Sequence, residues 1–164
     1  AATRRAGDGW VAELGPRERG QQAVELADPD GVTAAWLVPL ADEMPPVGAG
    51  RGPDPTRLLA ASIGNCLSGS LLFALRKFKN MPGTIVARVR VEHARNPQGR
   101  LRVGKIAVEI TLPEAAADYA GIGRILAQFE QFCTVTESVR AGVAVEVTVK
   151  DGTGAVLHVS DASA

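Results

Sequence analysis

Charged residues leave the chain between Arg57 and Arg76, where 18 consecutive positions carry no charge. The stretch is marked at both ends. Asp54 stands where an N-cap is needed and Pro55 at the first helical position, where its missing N–H costs nothing. "NMPG", residues 80–83, closes it. The pattern predicts a helix over 54–80, apolar nearly all round, which must therefore be surrounded by protein in a core or between two subunits. Laid out at about 100° per residue, Leu59, Ile63 and Phe73 fall within about 60° of Cys66, and Leu71 and Leu75 fall on the far side. Downstream the period changes to two. In "TIVARVRVEHA" Ile85, Ala87, Val89 and Val91 alternate with Val86, Arg88, Arg90 and Glu92, and "KIAVEITL" alternates likewise. With the turn-rich "HARNPQGR" between them, these strands predict an antiparallel hairpin over 84–112 with one wet face. "VAVEVTV" and "AVLHV", joined through "KDGTG", predict a second hairpin over 143–159.

Between the hairpins, Tyr119, Ile122, Leu126, Phe129 and Cys133 recur at helical spacing, predicting an amphipathic second helix with its cap over 114–141. Gly121 and Gly123 weaken its start. Thr134 and Glu137 have the S/T-x-x-E spacing of a capping box, so a new helical turn is expected at Cys133, where free N–H groups and the helix dipole favour an anion. Upstream, "WVAEL", "QAVEL" and "TAAWLV" read as short strands, and the Pro/Gly-rich residues 41–55 as a loop. Residues 1–53 thus form N-terminal strands and a loop of one domain spanning 1–164.

Length and composition narrow the function. At 164 residues and 46% apolar composition the chain suits one compact domain. Eighteen basic residues balance eighteen acidic ones, so no global field draws it to nucleic acid or to a membrane surface. A bilayer-spanning reading of the long helix is opposed by Ser62, Gly64, Asn65, Ser68, Gly69 and Ser70. "AATRRAGDGW" lacks the apolar core of a secretory signal, which predicts a cytoplasmic protein.

The two cysteines, Cys66 and Cys133, are 67 positions apart. That separation excludes a C-x-x-C motif, and His93 and His158 alone offer little for zinc, so no metal is expected. Peroxide chemistry by a thiolate, or no chemistry at all, remains open at this point. Phe129 and Phe132 read as core, Arg76, Lys77 and Lys79 as charges suited to a helix C-terminus, and Asn65 and its small neighbours as a place for close packing against a second helix.

"GPDPTRLLAASIGNC", followed by "FCTVTESVRAGVAVEV", resembles the OsmC/Ohr family, the osmotically inducible and organic hydroperoxide resistance proteins. The resemblance extends from about residue 50 to 150. It implies an α+β fold of curved antiparallel sheets around long central helices, in an intertwined homodimer. It also implies a thiol peroxidase that reduces organic hydroperoxides with an external dithiol and no cofactor. On that reading Cys66 is the attacking thiol and Cys133 the resolving one. An N-terminal arginine, Arg19 in "RERG" with Arg17 and Arg51 behind it, would support the thiolate. Leu59, Ile63, Phe73 and Thr56 would border the substrate. Relatives hold the arginine with a glutamate two residues before the first Leu of the motif. Here that position is Thr56, and Asp54, Glu13 and Glu43 are the acidic alternatives. Thr134 stands where relatives often have proline. Thr56 gives weight to a second possibility, a non-catalytic dimer that binds a small hydrophobic ligand or acts as a redox-responsive module.

Overall fold

The computed structural model describes residues 2–6, 9–13, 26–27, 43, 45–49 and 52–160. The chain divides into two compact units, Ala1–Leu58 and Leu59–Ala164. In the first unit, strands β1 (Ala2–Ala6), β2 (Gly9–Glu13) and β3 (Leu26–Ala27) form a three-stranded antiparallel sheet in that order, with Arg4 opposite Val11 and Trp10 opposite Leu26. "WVAEL" contributes to β2 and "QAVEL" only its last residue to β3. "TAAWLV" lies outside the described residues, and β1 was not foreseen because "ATRRA" has no alternation to read.

Helix α1 runs from Pro55 to Lys77. Asp54 is its cap: Oδ1 accepts the Arg57 N–H at 2.8 Å, and Oδ2 pairs with the Arg57 guanidinium at 2.6 Å. The far end reverses earlier than "NMPG" suggests. Lys79 takes a left-handed conformation (φ 64°), its N–H donating to the Arg76 carbonyl at 2.8 Å while the Asn80 N–H donates to Leu75 at 3.0 Å. Those two bonds make a Schellman closure on a residue other than glycine.

In the second unit β4 (Val86–Arg95), β5 (Leu101–Thr111), β6 (Ala144–Lys150) and β7 (Val156–Ser160) form a sheet in sequence order. Both predicted hairpins are present, β4 with β5 and β6 with β7. Their meeting differs from the expectation of wholly antiparallel sheets: β5 and β6 are parallel, Ile106 beside Val145, Val108 beside Val147 and Ile110 beside Val149. A parallel pair needs a crossover of a dozen or more residues, and residues 112–143 supply it. The expected second helix does not run through that crossover unbroken. It is cut into a 3-10 turn (Ala116–Asp118), helix α2 (Ile122–Leu126), a second 3-10 turn (Phe129–Phe132) and helix α3 (Thr134–Arg140). Gly121 at φ 70° and Gln128 at φ −132° make the breaks.

Ile63, Leu67, Leu71 and Leu75 of α1 share one fully buried cluster with Ile106, Ile110, Val145, Val147 and Val149. Although α1 is long and apolar enough to cross a membrane, this face is spent on the chain's own sheet. Polar clamps hold the corners. The Asn80 amide donates to the Ala120 carbonyl at 3.0 Å and accepts the Ala120 N–H at 2.8 Å, tying the end of α1 to the crossover. Asp151 accepts from the Thr153 hydroxyl and from the N–H groups of Thr153, Ala155 and Ala116, which hold its carboxyl down at about 2.

Candidate functional site

The helical period that buries Leu67 and Leu71 leaves Cys66 at the border of the buried stripe, half-buried. Cys133 arrives from the opposite direction. It follows the second 3-10 turn in an extended conformation (φ −83°, ψ 95°) and is the N-cap of α3. Its N–H donates to the Glu130 carbonyl at 2.8 Å, and its own carbonyl accepts the Glu137 N–H at 3.0 Å. The sulfur is fully buried, and its S–H donates to the Thr136 hydroxyl at 3.1 Å. Cys66 packs against the buried cluster that contains Cys133 and is near enough to act on its thiol. Burial pushes the Cys133 thiol up and the neighbouring Cys66 adds to the rise, against a smaller pull downward from the Thr136 hydroxyl and N–H.

Helical start and capping box part company at this point. A helix does begin where the spacing indicated, but Cys133, not Thr134, is its cap, and Glu137 is one position too far along to reach back. Glu137 pairs instead with Arg140 at 2.9 Å.

Cys66 opens onto a cleft of about 560 Å³. One wall is α1 from Asn65 through Phe73 to Lys77; the other runs from Arg124 to Phe132. Phe73 and Phe132 are each 72% exposed, so the cleft carries open aromatic surface. Phe132 is thus a wall of the cleft rather than the core residue its spacing suggested, whereas Phe129 is fully buried. Arg124 stacks over the Phe78 ring, 5.6 Å from its centre, and a Cβ at Gly121 would meet that ring at 2.7 Å. Lys77, read as a helix-terminal charge, also lines the cleft.

Of the residues expected to border substrate, Phe73 does line the cleft. Ile63 does not: it is fully buried on the sheet side of α1, because a position about 60° round from Cys66 already belongs to the core stripe. Leu59 packs against the core cluster, and Thr56 stands in the first turn of α1, neither of them on the cleft. Arg19, Arg17 and Arg51 lie outside the described residues, as does the side chain of Glu13. Next to Asn65, Gly64 packs closely on strand β4, a Cβ there standing 2.7 Å from Val89 Cγ2. Among the described residues no three His, Cys, Asp or Glu side chains gather as a metal would require.

Sequence reasoning missed one cluster altogether. Glu130, 7% exposed, accepts from the Arg140 guanidinium and from the Ser160 hydroxyl at 3.1 Å, and its other oxygen meets His158 Nε2 at 2.5 Å. The His158 ring in turn stands edge-on to Phe129, 5.6 Å between centres. A lone Glu in an apolar helical pattern was the available signal.

The family pattern of OsmC-like proteins matches residues 48–148, most of the chain and both cysteines. The chain belongs to the OsmC-like protein family. Solved structures agree at the level of the fold. An organic hydroperoxide resistance protein OsmC from Legionella pneumophila aligns with a TM-score of 0.52 at 17% identity, over 62% of this chain and 72% of that one. The organic hydroperoxide resistance protein OhrB of Bacillus subtilis aligns at 0.53 and 16% identity over 92% and 98%. An OsmC-like protein from Mycoplasma pneumoniae aligns at 0.55 and 14% identity over 87% and 88%. No curated protein matches the chain. The OsmC-like fold therefore accounts for the α+β architecture and for the stretch of sequence that delivers each thiol.

Proposed function

We propose that this OsmC-like chain, a single domain over 1–164, is a cytoplasmic, homodimeric thiol peroxidase that reduces organic hydroperoxides, with Cys66 as the attacking sulfur and Cys133 as the resolving one. The observation that carries the reading is that two cysteines, 67 positions apart, share one neighbourhood, Cys66 lining an aromatic cleft and packing against the buried cluster that contains Cys133. The division of labour follows from their surroundings. A thiolate is the nucleophile, and burial disfavours it at Cys133, which has no exposed surface, whereas Cys66 faces the cleft. The Cys66 thiolate attacks the outer peroxide oxygen, the O–O bond breaks and the alcohol leaves. The resulting Cys66 sulfenic acid condenses with the Cys133 thiol, forming the disulfide and releasing water. An external dithiol returns both to thiols, and no metal or organic cofactor takes part. Positive charge is needed to hold Cys66 as an anion; Arg19 is the proposed source, and Lys77 and Arg124 are cations that line the same cleft.

Consumption of cumene hydroperoxide by the purified protein with dithiothreitol tests the proposal. Turnover in the parent and its loss in Cys66→Ser are expected, together with an intact-mass loss of two hydrogens that requires both cysteines. Equal slow rates in parent and Cys66→Ser would overturn it. They would favour a non-catalytic dimer that binds a small hydrophobic ligand, a reading supported by Thr56 at the position of the family glutamate and by the aromatic walls of the cleft. Sedimentation equilibrium at twice the chain mass is the expectation for the dimer.

A further inference from the structure

The peroxide chemistry has no use for the buried acid that stands three residues before the second sulfur. Glu130 is buried, and three side chains from two elements converge on its carboxylate: Arg140 from the last turn of α3, and His158 and Ser160 from β7. Its main chain is equally committed, since the Glu130 carbonyl accepts the Cys133 N–H. The residue therefore grips, by its two ends, the backbone just before the second sulfur and the elements on either side of it. Arg140 is held a second time by Glu137, so α3 is fixed at its far end, while Thr136 on the same helix holds the sulfur at the near end. The turn Phe129–Phe132 has only four residues and no side-chain cap of its own. Without the carboxylate it would be tied to β7 chiefly by the Phe129–His158 ring contact.

We propose that Glu130, with Arg140, His158 and Ser160, is the positioning element for disulfide closure, setting where the Cys133 sulfur stands when it meets an oxidised Cys66. The inference rests on the pairing of the two cysteines proposed above, but not on which oxidant acts. Disulfides tolerate a narrow geometry, with Cβ atoms roughly 3.5–4.5 Å apart and a dihedral near 90°. A sulfur displaced by about 1 Å loses much of its advantage as an intramolecular reactant, up to 100-fold. Glu130 touches neither the peroxide nor either sulfur through its side chain, so its effect is confined to the second step.

The test separates the two steps. Diamide oxidises a thiol pair without any peroxidase activity: one sulfur adds to the diazene, the other displaces it as the hydrazine, and the disulfide forms. Closure is followed by quenched intact mass in the parent, Glu130→Gln and His158→Ala. The first step is followed as Cys66 thiol loss in a Cys133→Ser background, with and without Glu130→Gln. Closure slowed about 10- to 100-fold in Glu130→Gln, less in His158→Ala, with the first step unchanged, is the expected result. Closure at the parent rate in both variants would overturn the proposal, as would equal slowing of the two steps, which marks general damage. His158→Ala keeps the carboxylate and its arginine, so it decides the matter if Glu130→Gln fails to fold. Failure of the parent to close with diamide would overturn it too. A parent that closes with diamide yet ignores cumene hydroperoxide would sink the peroxidase reading and leave this one standing.

Discussion

Gly64 and Gly69 are five residues apart on α1 and have opposite surroundings. A Cβ on Gly64 would stand 2.7 Å from Val89 on strand β4; a Cβ on Gly69 would meet nothing within 4 Å. The contrast extends along the helix. On the Gly64 side Ile63, Leu67, Leu71 and Leu75 have no exposed surface, while on the Gly69 side Asn65 is exposed and Phe73 keeps 72% of its surface. One uniformly apolar segment thus has a face completed by its own sheet and a face left open beside a thiol. Uniform greasiness in a sequence says that a helix will be covered. It does not say by what, or on how many sides at once.

Four substitutions sharpen that contrast. Leu71→Ala removes a side chain from the closed face and should cost about 2–5 kcal/mol in urea unfolding, the spread depending on how far the cavity collapses. Gly64→Ala, although it favours the helix, must push Val89 aside and should cost about 1–3 kcal/mol. Gly69→Ala should reverse the sign, gaining about 0.5–1 kcal/mol because the helix propensity is improved at no steric cost. Phe73→Ala should change the stability of the single chain by less than about 0.5 kcal/mol while raising KM for a bulky hydroperoxide. If Phe73→Ala proves as damaging as Leu71→Ala, the open face is covered in solution and the two sides of α1 are equally committed.

What could be read from the sequence follows from how locally each feature is determined. Asp54, Pro55 and the uncharged run fixed α1 to within three residues, because capping and charge act over one turn. The alternation in β4 to β7 gave both hairpins for the same reason. The parallel meeting of β5 and β6 was not legible, since it depends on where a crossover deposits the next strand. The crossover itself misled: helical spacing of Tyr119, Phe129 and Cys133 was genuine in its burial, all three being buried, yet the backbone reaches those positions through turns broken at Gly121 and Gln128. At the candidate site both sulfurs were legible and Phe73 with them. Ile63 was misplaced because a helical wheel gives angles but not the width of the buried stripe. The Glu130 cluster joins residues up to 30 positions apart, and no local pattern announces such a partnership.

The parallel pairing of β5 with β6 carries one more consequence. Cys133 sits on the connector that spans those two strands, so the sulfurs become neighbours only once the last hairpin has docked beside the first. Pairings between distant parts of a chain form late, after their loop entropy has been met. During synthesis Cys66 therefore emerges and folds into its helix well before its counterpart exists as a neighbour, and diamide cross-linking of nascent chains released at increasing lengths should turn on only after β7 is complete. The bond between them would then record that the whole second unit has been assembled.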